Sequence, residues 1–130
     1  MPTQDRPSQD AFALLEDLIA RARKGGADAA DAVLIESATL SHAQRLGKVE
    51  KLERSENYDL GLRVLIGKRQ AIVSSNDRRE ATLGALVERV LAMAKTVPED
   101  PYCGLADPSE LARDWPDLDL IDQQEPAPEV

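Results

Sequence analysis

Few side chains in this sequence are of types that do chemistry, and their spacing decides what each can do. His42 is the sole histidine, and no second His or Cys stands near it at the spacing of a metal-ligand set. It reads as a surface histidine on an alternating strand. Cys103, the sole cysteine, has no His in any local nucleophile signature and lies in a Pro-rich connector, so it reads as a buried or incidental thiol. Ser74-Ser75-Asn76-Asp77 offers hydroxyls at a turn, without a G-x-S-x-G frame or an assigned base. Strand exit and helix capping account for it. Glu50, Glu53 and Glu56 recur every three residues, a spacing that does not align side chains on a strand, so they read as solvated charges. The glycines of "RKGGADAAD" and "GLADPSE" match neither G-x-G-x-x-G nor a P-loop.

The elements that would position these groups are better marked. Phe12, Leu15, Leu18, Ile19 and Ala22 recur at helical spacing. With Ser8 as N-cap and Gly25-Gly26 as a left-handed stop, they predict a helix over 9–24. "AVLIESATLSHAQRLG", "KVEKLERSEN", "YDLGLRVLIG" and "KRQAIVSS" read as four strands. Gly47-Lys48 and Gly67-Lys68 each place Gly first in a two-residue loop, as a type II′ turn requires. The second loop sets Ile66 opposite Arg69, Val64 opposite Ala71 and Leu62 opposite Val73. Leu60, Leu62, Val64, Ile66, Ala71 and Val73 then share an apolar face, while Arg63, Leu65, Gln70 and Ile72 occupy the other. That second face is more apolar than a free domain needs, so these four are the candidate interface or peptide-facing residues.

A second helix is predicted over 78–97, opened by the capping pattern Asp77-x-x-Glu80 and closed by Pro98. Its stripe is Leu83, Leu86, Val87, Val90, Met93, Ala94 and Val97, interrupted by Gly84, which weakens the helix or permits close approach to the sheet. Asp107, Pro108 and Glu110 start a short helix. The fold class is α+β: helix, four-stranded antiparallel sheet of two hairpins, and helix, with both helices on one sheet face. Residues 1–8 read as a flexible start, 9–113 as the domain and 114–130 as an acidic, Pro-containing linker.

At 130 residues the chain suits one core. Of 24 acids, six fall after Arg113 with no base among them, leaving 18 against 16 bases in the preceding 113 residues. The net charge of −8 is thus mostly a property of the tail. Nucleic-acid affinity is built on Lys and Arg neutralising phosphates, so this balance argues against it, as it does against anionic membranes. The helix–strands–helix order resembles a double-stranded RNA-binding domain, but only Arg78 and Arg79 supply basic character at the second helix start. The polar start has no signal-peptide core, and no run nears the ~18 apolar residues of a membrane span. One cysteine fits a reducing compartment, and the cytoplasm is the expected location.

"RLGKVEKLERSENYDLGLRVLIGKRQAIVSSND", preceded by "ARKGGADAADAVL" and followed by "VERVLAMAKTVPEDPYCGLADPSELA", resembles the N-terminal domain of the TldD/PmbA family, once named modulators of DNA gyrase. The similarity covers roughly residues 10–125, and "EDPYCGLADP" favours the PmbA, or TldE, branch. The resemblance implies a non-catalytic domain of one subunit in a cytoplasmic metallopeptidase complex that trims unfolded peptides, including peptide-antibiotic precursors and antitoxin-type proteins. It implies zinc in a TldD-type partner, on an H-E-x-x-x-H helix downstream of this domain. No catalytic, cofactor-binding or metal residue is carried onto these 130 positions. The partner would be a TldD-like subunit or a homodimer mate, with N-terminal domains helping to enclose the substrate chamber. The alternative is a free-standing acidic α+β interaction module, distinguished by whether the native chain continues past Val130.

Overall fold

The computed structural model describes residues 9–124. Its elements run α1 (Gln9–Lys24), β1 (Ala29–Arg45), β2 (Lys48–Ile66), β3 (Arg69–Ser75), α2 (Glu80–Thr96) and a 3₁₀ turn (Pro108–Glu110). The sheet order is β1-β2-β3. The α+β class and the helix–sheet–helix order hold, with three strands in place of four. The two segments read separately as "KVEKLERSEN" and "YDLGLRVLIG" form one 19-residue strand, β2. Neither Gly nor Pro stands at Asn57-Tyr58 to break it, and the change from polar to apolar composition there marks a change in burial, not a turn.

The chain divides into two compact units, Met1–Ser37 with Asn57–Leu105, and Ala38–Glu56 with Ala106–Val130. The first holds the core. Leu18 and Ala22 of α1, Leu60, Leu62 and Val64 of β2, Ala71 and Val73 of β3, and the Leu83, Leu86, Val87, Val90, Leu91 and Ala94 stripe of α2 form one buried cluster. Both helices therefore cover the same sheet face. Full burial of a Leu or Val is worth about 1.5–3 kcal/mol, so Leu62 and Val64, with no exposed surface, are principal contributors. The stripe of α2 is rotated slightly from expectation: Leu91 is buried and Met93 is 40% exposed. On α1, Phe12 is exposed and Ala11 takes an inward position. The β2–β3 register is as the Gly67-Lys68 loop dictates, with Ile66 opposite Arg69, Val64 opposite Ala71 and Leu62 opposite Val73.

The helix ends are set by specific bonds. At the close of α1, Gly26 N–H donates to the Arg23 carbonyl and Ala27 N–H to the Ala22 carbonyl, the two bonds of a Schellman motif, with Gly26 at φ 111°. Gly25 serves a different need: a Cβ there would stand 2.4 Å from Leu91 Cδ1, so its absence lets α1 end against α2. The N-cap position of α2 is Arg79, whose side chain makes no capping bond, and the expected Asp77–Glu80 box does not form. Instead Asp77 lies three residues ahead of the helix and accepts from Arg79 N–H (2.9 Å), Arg79 Nε (2.8 Å) and Thr82 Oγ1 (2.8 Å). Glu80 turns to Arg21 of α1, which also pairs with Asp17 at 2.7 Å. The suggested Ser8 cap lies outside the described residues.

In the second unit, Leu46 and Gly47 join β1 to β2 with φ of 51° and 73°. Two successive positive φ values make this a type I′ turn, so the loop sits one residue earlier than the expected Gly47-Lys48. The strands close on Arg45 and Lys48, and Arg45 reaches Glu50 at 3.9 Å. Glu53 and Glu56 pair with Lys51 and Arg54, each at 2.9 Å. Such exposed pairs add little stability. Among the described residues no side chain of this unit reaches the buried class. The 3₁₀ turn forms where Asp107-Pro108 was expected to start a helix, with Asp107 accepting from Ser109 N–H at 2.8 Å.

Candidate functional site: the outer face of the sheet

Strand alternation sends one side of β2 and β3 away from the helices. The register opposes Arg63 to Ile72 and Leu65 to Gln70, so the four residues picked from the sequence stand together as two cross-strand pairs. They do not share one environment. Ile72 is 62% exposed, whereas Leu65 is only 4% exposed and lies outside the helix-side core cluster. After α2 the chain returns to the β2–β3 turn: Asp100 N–H donates to the Lys68 carbonyl at 2.7 Å and Glu99 approaches Arg69 at 3.9 Å. Cys103 is likewise buried outside the core cluster. Leu65, almost fully buried, is not an available contact. Gln70 is half-buried, and its Oε1 is enclosed without a hydrogen-bond partner among the described residues.

Arg63 is anchored by β1. Its Nε donates to Asp31 Oδ1 at 2.9 Å and its Nη2 to Asp31 Oδ2, a two-point fork that raises the guanidinium pKa further and holds its plane. Asp31 shares this face with Val33, which stands beside Gly61 of β2: a Cβ at Gly61 would meet Val33 Cγ1 at 3.0 Å. Asp31, Ala32, Val33, Gly61, Leu62, Arg63 and Ile72 line a groove of about 310 Å³, at the lower end of the roughly 300–1,000 Å³ typical of ligand clefts. Val33 (52%) and Ile35 (55%) add to Ile72 an apolar surface that nothing in this chain covers among the described residues. Asp31, Val33 and Gly61 escaped the sequence reading. Their signals were the alternation of Asp31, Val33 and Ile35 against Ala32 and Leu34, and a glycine inside a strand, which marks close approach by another group.

Elsewhere, Asp28 clamps the β2–β3 turn, its N–H donating to the Leu65 carbonyl and its Oδ2 accepting from Gly67 N–H at 2.7 Å. Arg78 lies 3.3 Å from the centroid of the Tyr58 ring and pairs with Glu36. Among the described residues no three His, Cys, Asp or Glu side chains come together as a metal would need.

The profile of the PmbA/TldA metallopeptidase domain 1 family matches residues 30–94, half of the chain, from β1 into the last turn of α2. The metalloprotease PmbA of Escherichia coli O157:H7 is 31% identical over 119 residues, which are 89% of this chain and 26% of that protein. A PmbA homolog from Haemophilus influenzae is 38% identical over 99 residues, 76% of this chain and 22% of its own. The chain therefore spans about a quarter of the length of these relatives. Among solved structures, a Bacteroides thetaiotaomicron protein described as a modulator of DNA gyrase superposes with a TM-score of 0.81 at 24% identity, over 90% of this chain and 26% of its own. TldE from Thermococcus kodakarensis superposes at 0.66 and 18% identity, over 89% and 26%. The two structural likenesses show the fold, and the profile match shows the lineage: the chain belongs to the PmbA/TldD metallopeptidase family, whose first domain it carries.

Proposed function

We propose that this chain is the non-catalytic N-terminal domain of a PmbA/TldE-like subunit, working in the cytoplasm beside a TldD-like subunit or a homodimer mate to trim unfolded peptides. The observation that carries this reading is the outer sheet face. Val33, Ile35 and Ile72 keep over half their surface exposed around a groove on the side away from the helices, in a chain of a metallopeptidase family. An apolar, partly walled sheet face suits contact with a partner subunit or an extended chain. Zinc belongs, in this reading, to the TldD-like partner. The cytoplasmic assignment rests on a lone cysteine, and among the described residues no helix is long and apolar enough to cross a membrane.

The test separates the two faces. Ile72→Asp places a charge on an exposed position and should leave the melting temperature within a few degrees while abolishing co-purification with the TldD-like subunit or peptide trimming by the pair. Val64→Asp buries an unpaired charge, costs several kcal/mol and should unfold the chain. Leu65→Asp belongs with Val64→Asp, because Leu65 is itself buried. Full assembly and trimming by a folded Ile72→Asp variant would sink the assignment.

A further inference from the structure

β3 stands at the end of the sheet, and its outward side offers backbone groups in a defined phase. The Leu65 carbonyl accepts from Asp28 N–H, on the β1 side, so the backbone groups of Leu65 turn away from β3. Its cross-strand neighbour Gln70 therefore turns its own N–H and C=O away from β2, and Ile72 and Ser74 follow at the strand period of two. The Gly67-Lys68 loop gives the same phase, because a two-residue loop closes on a bonded pair, here Ile66 and Arg69. Among the described residues no backbone bond reaches the outward groups of Gln70, Ile72 or Ser74. Such edges are ordinarily blunted by Lys, Pro or a bulge. The stretch "QAIVSS" has neither charge nor Pro, and its register with β2 runs without a bulge from Leu60–Ser75 to Ile66–Arg69. The open stretch also has a centre. At one end the Lys68 carbonyl is taken by Asp100 N–H, and at the other Asp77 N–H donates back to Ser75 Oγ at 3.0 Å as the chain leaves the sheet. Ile72 lies midway.

We propose that β3 pairs antiparallel with β3 of a second copy across a two-fold axis at Ile72, joining two three-stranded sheets into one. In that register Ile72 faces its own counterpart and Gln70 faces Ser74, so every outward N–H and C=O of one copy meets its complement on the other. The exposed Ile72 side chains come together on the outer face. Beyond the paired residues, the basic Lys68-Arg69 end of each strand approaches the Asn76-Asp77 end of the other, an attraction repeated on both sides of the axis. A second copy suits this edge better than a free peptide, because its strand is already extended and carries no further ordering cost. The inference goes beyond the functional reading and does not rest on it, since it concerns the strand edge and not the groove.

Light scattering of the full chain from micromolar to millimolar concentration should show the mass doubling. In ¹H–¹⁵N correlation spectra over the same range, the amide signals of Gln70, Ile72 and Ser74 should move more than those of Ala71 and Val73, whose N–H groups already bond to β2. Ser74→Pro removes an outward N–H and no bond within the chain, so it should keep the melting temperature within a few degrees and hold the chain at the mass of one copy. Ile72→Lys sets two like charges face to face at the axis and should weaken pairing severalfold, which keeps the test decisive if Ser74→Pro does not fold. A chain that keeps the mass of one copy at millimolar concentration, a doubled mass with Ala71 and Val73 moving as far as their neighbours, or a folded Ser74→Pro chain that still doubles would overturn the pairing. Movement of the three outward amides only when an unrelated extended peptide is added would give the edge to that peptide and overturn the second copy.

Discussion

Asp77 shows how much one carboxylate settles ahead of a helix. Hydrogen bonds from the Arg79 side chain first, then from the Arg79 backbone N–H and the Thr82 hydroxyl, hold its pKa well below the usual carboxylate range. Glu80 is lowered as well, chiefly by its bond from Arg21. A carboxyl group that binds its proton less readily folded than unfolded stabilises the fold above its unfolded pKa, about 4, and loses that contribution as pH falls toward the folded value. Thermal midpoints should therefore hold steady from pH 7 to about 5 and drop below about 4. Asp77→Asn, which accepts but does not ionise, should start lower at pH 7 and fall less steeply in acid. Circular-dichroism melts across that range check this, and equal acid slopes in both proteins would count against it. The sequence made Asp77 legible as a capping residue. Its actual donors were not, because Glu80 had a stronger tertiary partner in Arg21 than the local backbone. Leu65 follows the same logic: alternation placed it on the outer side, but its burial there is tertiary and no local pattern records it.

Among the elements, α2 carries an avoidable weakness. A Cβ at Gly84 would meet nothing within 4 Å, so the close approach to the sheet that would call for glycine is absent. Gly84→Ala should raise stability by about 0.5–1 kcal/mol in urea unfolding, the ordinary gain of Ala over Gly inside a helix. Gly25→Ala should lower it, since the new methyl runs into Leu91. A Gly84→Ala protein no more stable than its parent would show that the position serves something other than the fold. The helices and the β2–β3 register were legible because periodicity and a two-residue Gly loop fix them locally. The strand count was not, because β2 passes from an exposed polar half to a buried apolar half without a turn, and composition alone imitates a boundary. The first hairpin loop slipped by one residue for a related reason. Leu46 takes a left-handed conformation that its side chain disfavours, so residue type pointed to the glycine as first in the loop when it is second.

At the scale of the molecule, the buried residues among those described all fall in the unit that contains both helices, while Ala38–Glu56 is built from exposed or half-exposed side chains and ion pairs. Hydrogen exchange should reflect this: amides of β3, α2 and Leu60–Ile66 should exchange through the slowest openings, and those of Ala38–Glu56 should exchange much faster despite continuous strand bonding. Uniform protection along β2 would contradict the division. What the sequence carried at this scale was the lineage and the helix-side core; the groove needed three strands brought side by side. The long unbroken β2 has one more consequence, in the history of the chain. Side chains alternate with a period of two, so losing a single residue from one strand of the exposed hairpin inverts every face beyond it. Length variation among descendants of this domain is therefore constrained by parity: the hairpin can shorten or lengthen in matched steps on both strands, and the groove residues at Gly61 and Arg63 keep their orientation only along lineages that counted in twos.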